Sequence, residues 1–172
     1  MGKIIAKNNN IEIQMMDKSM VHDVWKNSLD EDNKRFVPDE VFETFEEASE
    51  VVNLIIESYE NKDGPFIYAV IKKEDKANIG YVQLVKIEEG WEIGYHIAKE
   101  YTGHGYATEA VNLFLGYLKK NTKLKEVYGV ALADNKASRR VLEKCGFALF
   151  FEGNGFYQGE TKKIIKTIKT LD

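Results

Sequence analysis

Apolar and polar positions along this chain switch between two periods. Residues 11–15, Ile-Glu-Ile-Gln-Met, alternate at every step, the period of a strand with one buried face. Met20, Val21, Val24 and Trp25 then recur at helical spacing, with Asp17 placed to cap the segment. Thr44 and Glu47 have the spacing of a capping box. Ala48, Val51, Val52, Ile55, Ile56 and Tyr59 continue from them on one helical stripe, which Gly64-Pro65 stops. Strand-like runs follow at 66–71, 79–87 and 91–97. Their polar separators, 72–78 and 88–90, are too short for crossovers, so the three predict antiparallel hairpins.

The second half has longer connections. Ala107, Ala110, Val111, Phe114, Leu115 and Leu118 form a helical stripe after a glycine-rich turn. Residues 126–132 read as a strand. Residues 135–145 read as a helix closed by Gly146, with Phe147 supplying the apolar contact after such a cap. Residues 147–152 and 162–171 complete the strands. Between them, Gly153-Asn154-Gly155-Phe156-Tyr157 reads as a loop, either mobile and lining a pocket or an ordinary hairpin loop. The order β-α-α-β-β-β-α-β-α-β-β predicts an α/β fold with a mixed sheet and helices on both faces. A ligand is expected where a strand end meets a helix N-terminus.

Composition narrows the function classes. The 172 residues are 44% apolar, which suits one domain spanning 1–172. The balance of 24 basic against 28 acidic residues, a net charge of −4, excludes a surface that tracks nucleic-acid phosphates. The same balance leans toward a cationic acceptor. The single cysteine, Cys145, allows no intrachain disulfide and points to a cytoplasmic setting. No apolar run has the length of a membrane span, and the N-terminus lacks a signal-peptide core, so no membrane partner is expected. His22, His96 and His104 do not have the spacing of convergent metal ligands, so no metal is expected.

Two stretches carry chemistry. The first is Glu100-Tyr-Thr-Gly-His-Gly-Tyr-Ala-Thr-Glu109, between a strand and a helix. Gly103 and Gly105 let the backbone bend toward a ligand, and the first amides of the helix offer a phosphate cradle. A plain strand-to-helix turn is the simpler reading of the same residues. No Gly-Lys-Ser/Thr of a Walker loop is present. Thr108 stands where a dinucleotide fingerprint needs Gly or Ala, and Glu126 begins a strand where an acidic residue should end one. The coenzyme A pyrophosphate pattern, Gln/Arg-x-x-Gly-x-Gly/Ala, matches at Gly105 and Ala107 but has Thr102 in its leading place. The second stretch is Asn135-Lys-Ala-Ser138 with Leu142-Glu-Lys-Cys-Gly-Phe147, about 30 residues downstream. Taken singly, Asn135 is a good N-cap and Leu142 a core residue.

Together with Glu92-Ile-Gly-Tyr95, Ile79-Gly80 and Arg35-Phe36, these stretches resemble the GNAT acetyltransferase superfamily in order and spacing over nearly the whole chain. The likeness is greatest to its RimJ/RimL-like branch of ribosomal-protein N-terminal acetyltransferases. The resemblance implies a single GNAT-like domain whose mostly antiparallel sheet splays at its central strands. It also implies acetyl-CoA as co-substrate and direct acetyl transfer to an amine. Strand backbone at Tyr95, His96 and Ile97 would pair with the pantetheine arm. Amides of Gly103, His104, Gly105, Tyr106, Ala107 and Thr108, next to Thr102, would hold the pyrophosphate. Asn135 would hydrogen-bond the pantetheine or adenylate portion, and Arg139 or Arg140 could meet a phosphate.

The chemistry of the transfer assigns roles. An α-amino group titrates near 7.7–8.0, so a modest base suffices for an N-terminal acceptor. Glu92 is the candidate base, with a solvent-facing strand residue as the simpler reading, and His96 is the runner-up. Strand amides near Ile97 would stabilise the developing oxyanion. The helix tyrosine that many members use as an acid is replaced by Leu142, and Ser138 is expected to donate a hydrogen bond to the CoA sulfur. Cys145 is expected to be core filling rather than a nucleophile. The acceptor would be a peptide N-terminus, a polyamine or an aminoglycoside-like amine, and the resemblance allows a homodimer. A non-catalytic acyl-CoA-binding sensor on the same fold is the competing reading.

Overall fold

The computed structural model describes residues Met1–Asp172. One sheet of eight strands runs through it in the order β1-β2-β3-β4-β5-β6-β8-β7. The strands are β1 (Ile4–Lys7), β2 (Ile11–Met15), β3 (Phe66–Lys72), β4 (Asn78–Ile87), β5 (Gly90–Ile97), β6 (Glu126–Leu132), β7 (Ala148–Tyr157) and β8 (Glu160–Thr170). Every neighbouring pair is antiparallel except β5 and β6. That parallel pair meets only at Glu92 and Tyr128, then diverges. The sheet is therefore mixed and splayed at its centre, as the resemblance implied.

Helices cover both faces. α1 (Val21–Ser28), α2 (Glu31–Phe36) and α3 (Phe45–Ser58) lie in the first half of the chain, α4 (Tyr106–Asn121) and α5 (Lys136–Lys144) in the second. Phe114, Val111, Leu118 and Leu142 bring α4 and α5 onto Ile13, Val70, Val82 and Ile93 in the larger core cluster. Val21 of α1 and Val52 and Ile55 of α3 pack with Ala69 and Ile71 in a separate cluster. The capping box is present: the Thr44 side chain accepts from the Glu47 amide while Glu47 accepts from the Thr44 amide. At the end of α5, Gly146 takes φ +82°, and the amide of buried Phe147 donates to the Leu142 carbonyl at 3.0 Å.

Three expectations change. β1 had no alternating pattern to announce it; it is a four-residue edge strand held by β2 across a register shift. α2 is six residues of mostly charged sequence without an apolar stripe. The Asp30 carboxylate fixes its start by accepting from the Asn33 amide at 2.7 Å. Residues 153–157 are not a mobile loop. They continue β7, and the reversal comes at Gln158-Gly159, where φ is +51° and +78°. A Cβ on Gly155 would stand 2.4 Å from the Ile164 side chain, so the glycine there permits close strand packing rather than motion.

Candidate active site

The divergence of β5 and β6 opens a cavity of about 230 Å³ through the sheet. Beyond Glu92 the edge of β5 that faces β6 has no strand partner, which leaves polar backbone from Ile93 to Ile97 facing the gap. On the α4/α5 side the cavity is lined by Tyr95, Ile97, Thr102, Ala107, Asn135 and Ser138. On the α1–α3 side it is lined by Phe36, Glu40, Tyr81, Gln83, Glu92 and Tyr157. The strand pleat explains the division. Ile93 and Ile97 face the larger core under α4, so Glu92, Gly94 and His96 point the other way.

The glycine-rich turn heads α4 beside this cavity, and Thr102 and Ala107 are the residues of that stretch that line it. Gly103 and Gly105 adopt φ +83° and +81°, and nothing lies within 4 Å of where their Cβ atoms would be. Gly105 occupies the N-cap position of α4 and supplies no side-chain cap. No amide between residues 103 and 108 has a hydrogen-bond acceptor inside the chain; the first helical donor with a partner is Glu109, to the Gly105 carbonyl at 3.0 Å. A run of free amides at the positive end of a helix dipole fits a diphosphate. His104 is exposed and has Tyr106 as its aromatic neighbour, at 6.0 Å between ring centroids. The Thr102 hydroxyl donates to the Lys99 carbonyl at 2.7 Å, so it fixes the turn.

α5 supplies the rest of that wall. Asn135 caps the helix, its Oδ1 accepting from the Ser138 amide at 3.1 Å. The Tyr95 hydroxyl donates to the Ser138 carbonyl at 3.0 Å and lies 2.8 Å from Ser138 Oγ. A phenol thus sits beside Ser138 although Leu142 replaces a helix tyrosine; it comes from β5. Burial raises the Tyr95 pKa, so it stays protonated. The two arginines separate: Arg139 is bound to the Ala133 carbonyl and to Glu152 at 2.9 and 2.8 Å, whereas Arg140 is exposed without a partner. Cys145 is buried in the core, and burial pushes its thiol up to about 11, which suits filling and not attack.

The opposite wall is acidic. Burial raises Glu92 to about 7; nearby Glu89 adds to the rise and Lys166 opposes it. Glu40, which the sequence pattern did not mark, is also raised to about 7 by burial, against the opposing charge of His96 and the Gln83 amide. The Tyr81 hydroxyl donates to Glu40 Oε2. His96 is engaged through Nε2 with Asp30 Oδ2 at 3.0 Å. Burial pushes the Asp30 carboxyl up, but the His96 ring and the amides of Asn33 and Lys99 together hold it below its usual range. His96 thereby ties β5 to Asp30 at the start of α2 through Nε2 while lining the cavity. No lysine or arginine lines the cavity.

The β7–β8 hairpin closes this side. Tyr157 Oη donates to the Phe36 carbonyl at 3.0 Å, and Gln158 Oε1 accepts from the Asp39 amide at 3.1 Å. Arg35 reaches Asp134 across the same opening at 3.5 Å. No local pattern signals these long-range contacts.

Comparison with known proteins agrees with this architecture. Residues 16–148 match the family model described as an acetyltransferase (GNAT) domain, so the chain belongs to that family. It is 36% identical over 90 residues to Probable N-acetyltransferase YjcK of Bacillus subtilis, a match covering 50% of each protein. The chain thus spans about half the length of that relative. Uncharacterized N-acetyltransferase YnaD of the same bacterium is 30% identical over 126 residues, 72% of this chain and 70% of YnaD. Among solved structures, RimL, described as a ribosomal L7/L12 alpha-N-protein acetyltransferase in complex with coenzyme A, superposes with a TM-score of 0.84. That match covers 98% of both chains at 18% identity, a likeness of fold.

Proposed function

We propose that this chain is an acetyl-CoA-dependent N-acetyltransferase that passes the acetyl group directly from the CoA sulfur to an amine. The observation that carries the reading is one cavity whose two walls have opposite chemistry. The open edge of β5, the head of α4 and α5 stand on one side, two carboxyl groups raised to about 7 on the other. The amides of residues 103–108 hold the pyrophosphate, Arg140 adds an exposed cation, and the open edge of β5 from Tyr95 to Ile97 pairs with the pantetheine arm. Asn135 Nδ2 is left to meet the same arm, since Oδ1 caps α5.

Glu92 takes the proton from the attacking amine. At a pKa of about 7 it is about half ionised at neutral pH, which matches a general base to its working range. The neutral amine nitrogen forms its bond to the acetyl carbon as the carbon–sulfur bond breaks; of the two protons the ammonium loses in becoming an amide, one passes to Glu92 and the other leaves with the sulfur as the CoA thiol. Free amides on the β5 edge near Ile97 meet the oxyanion. Ser138 in the first turn of α5 turns its one hydroxyl hydrogen from the Tyr95 oxygen to the departing sulfur, where the helix dipole also favours negative charge. The buried lone cysteine suits a cytoplasmic protein.

The acceptor is a cationic amine in its resting state, since carboxyl groups and no lysine or arginine line its side. A peptide N-terminus heads the list on the strength of the RimL likeness, with polyamines and aminoglycosides as the other arms of the test. The test is CoA release from acetyl-CoA over that amine panel, with thermal shift against acetyl-CoA, NAD and ATP. CoA release with at least one amine and stabilisation by acetyl-CoA are expected. Binding without release over the panel would make the chain a sensor, and stabilisation by NAD alone would overturn the assignment.

A further inference from the structure

A second cavity, of about 240 Å³, lies beneath α1 and α3 and opens beside the first. Its wall is apolar: Met16, Val24, Phe42, Val51, Ile55 and Ile67 line it. Val24, Phe42, Val51 and Ile67 are only half-buried, so a guest can reach their apolar surface. The volume exceeds the roughly 150 Å³ of an apolar protein cavity that takes up benzene, which leaves room for a ring.

The two cavities share Glu40, Tyr81, Gln83 and His96. Each of the four keeps some exposed surface, and together they form a polar passage from one cavity to the other. Gln83 lies across Gly94: a Cβ there would stand 2.6 Å from Gln83 Nε2. Glu92 is two residues before Gly94 on the same face of β5, about 7 Å along the strand. A molecule whose amine meets Glu92 thus enters the passage one short chain later, with the apolar cavity beyond. The passage is acidic. The Tyr81 hydroxyl holds the Glu40 carboxyl there, Asp39 stands in the lining beside it, and no lysine or arginine lines either cavity. A carboxylate on the acceptor would meet these acids without a compensating cation, and a second ammonium carried into the apolar wall would be desolvated without a partner.

We infer that this second cavity sets the choice of acceptor: it receives an uncharged apolar group of about a ring's size, carried roughly 7 Å from the amine that lies in the adjoining gap. The inference rests on the acetyltransferase reading for the amine, and on the apolar wall and the shared passage for the rest. Phenylalkylamines and peptide N-termini with apolar leading side chains belong to this class. Diamines and amino acids of the same length do not.

The test gives the full chain four amines that share a four-carbon chain and differ only at its far end: phenylbutylamine, butylamine, putrescine and δ-aminovalerate. By CoA release, kcat/KM for phenylbutylamine should exceed those for butylamine and putrescine at least tenfold, with δ-aminovalerate slowest. Val51→Phe, which fills the cavity, should bring phenylbutylamine down to the butylamine value. Leu54→Phe, on the exposed face of the same helix, should leave the order and the rates unchanged. Val51→Ala, which widens the cavity, should raise kcat/KM for the naphthyl analogue at least threefold relative to phenylbutylamine. CoA release with putrescine ahead of phenylbutylamine, or with phenylbutylamine equal to butylamine, would overturn the pocket and leave acetyl transfer standing. If no amine releases CoA while phenylbutylamine still raises the melting temperature of the wild type and not of Val51→Phe, the cavity binds its guest and the acetyltransferase reading falls.

Discussion

The two walls of the central gap are built from different materials. The α4/α5 side offers mostly backbone: the open edge of β5 in the cavity and, beside it at the head of α4, free amides between residues 103 and 108. The α1–α3 wall offers side chains: Glu40, Glu92, Tyr81, Gln83 and Tyr157. Backbone amides cannot titrate and are fixed by φ and ψ, so the first wall suits a group that is the same in every turnover. Carboxyl groups shifted by burial can exchange protons, so the second wall suits the step that varies with the acceptor.

Breaking the chemical step should have the largest effect. Glu92→Gln is expected to lower kcat by about 10²–10⁴-fold, the usual contribution of a general base. With an acceptor amine made weakly basic, so that it stays neutral throughout, wild-type kcat/KM should rise with pH through about 7 as Glu92 loses its proton. The variant should lose that limb. A limb unchanged in Glu92→Gln would move the base to Glu40, which titrates in the same range.

The backbone wall gives the next effect. Gly105→Ala puts a side chain at φ +81°, a conformation costing roughly 1–2 kcal/mol for other residues. Nothing in the protein clashes with the new Cβ. Its expected signature is a KM for acetyl-CoA raised about tenfold or more, with a melting temperature only a few degrees lower and an unchanged amine preference. Equal loss of affinity for both substrates would show that the walls are not independent.

Ser138→Ala is expected to lower kcat about tenfold by removing the hydrogen bond to the sulfur. Because Tyr95 reaches Ser138 directly, Tyr95→Phe should add little in the Ser138→Ala background. A kcat for Ser138→Ala within about threefold of wild type would exclude the serine from the leaving-group step. The smallest effect belongs to Cys145→Ala. It should retain transfer and cost about 1 kcal/mol or more in denaturant unfolding, because the residue is 4% exposed and packs in the larger core. Loss of activity without loss of stability would instead imply a cysteine-linked intermediate.

The local elements were legible where one segment carries its own signal. The 3.6-residue stripes of α3 and α4, the Thr44–Glu47 box and the Gly146 stop all lie within a single stretch of chain. The resemblance to the acetyltransferase superfamily came from such stretches as well. Where the signal was long-range it was missed. α2 owes its start to Asp30, and Asp30 is held by His96, 66 positions away. The last part of β7 is hidden because Gly153 and Gly155 resemble loop residues; only the fold shows Ile164 of the neighbouring strand occupying the space of a Cβ at Gly155. Glu40 sits in a stretch, Val37-Pro-Asp-Glu, that reads as an exposed turn; only the approach of Tyr81 and Gln83 buries it.

The sequence alone determined the periodic elements, the modest negative charge and the glycine turn at the head of α4, because each depends on neighbours within a few residues. It also placed Glu92 on a central strand, but its alternation left that carboxyl facing either solvent or a site. The tertiary structure decided that question by parting β5 from β6 immediately beyond Glu92. It also chose which carboxyl groups titrate near neutrality, set Tyr95 against Ser138, and left one end of Asn33 and one of Asn78 without partners. Desolvation and unpaired burial are properties of the surrounding volume, and that volume is assembled from segments far apart in the chain.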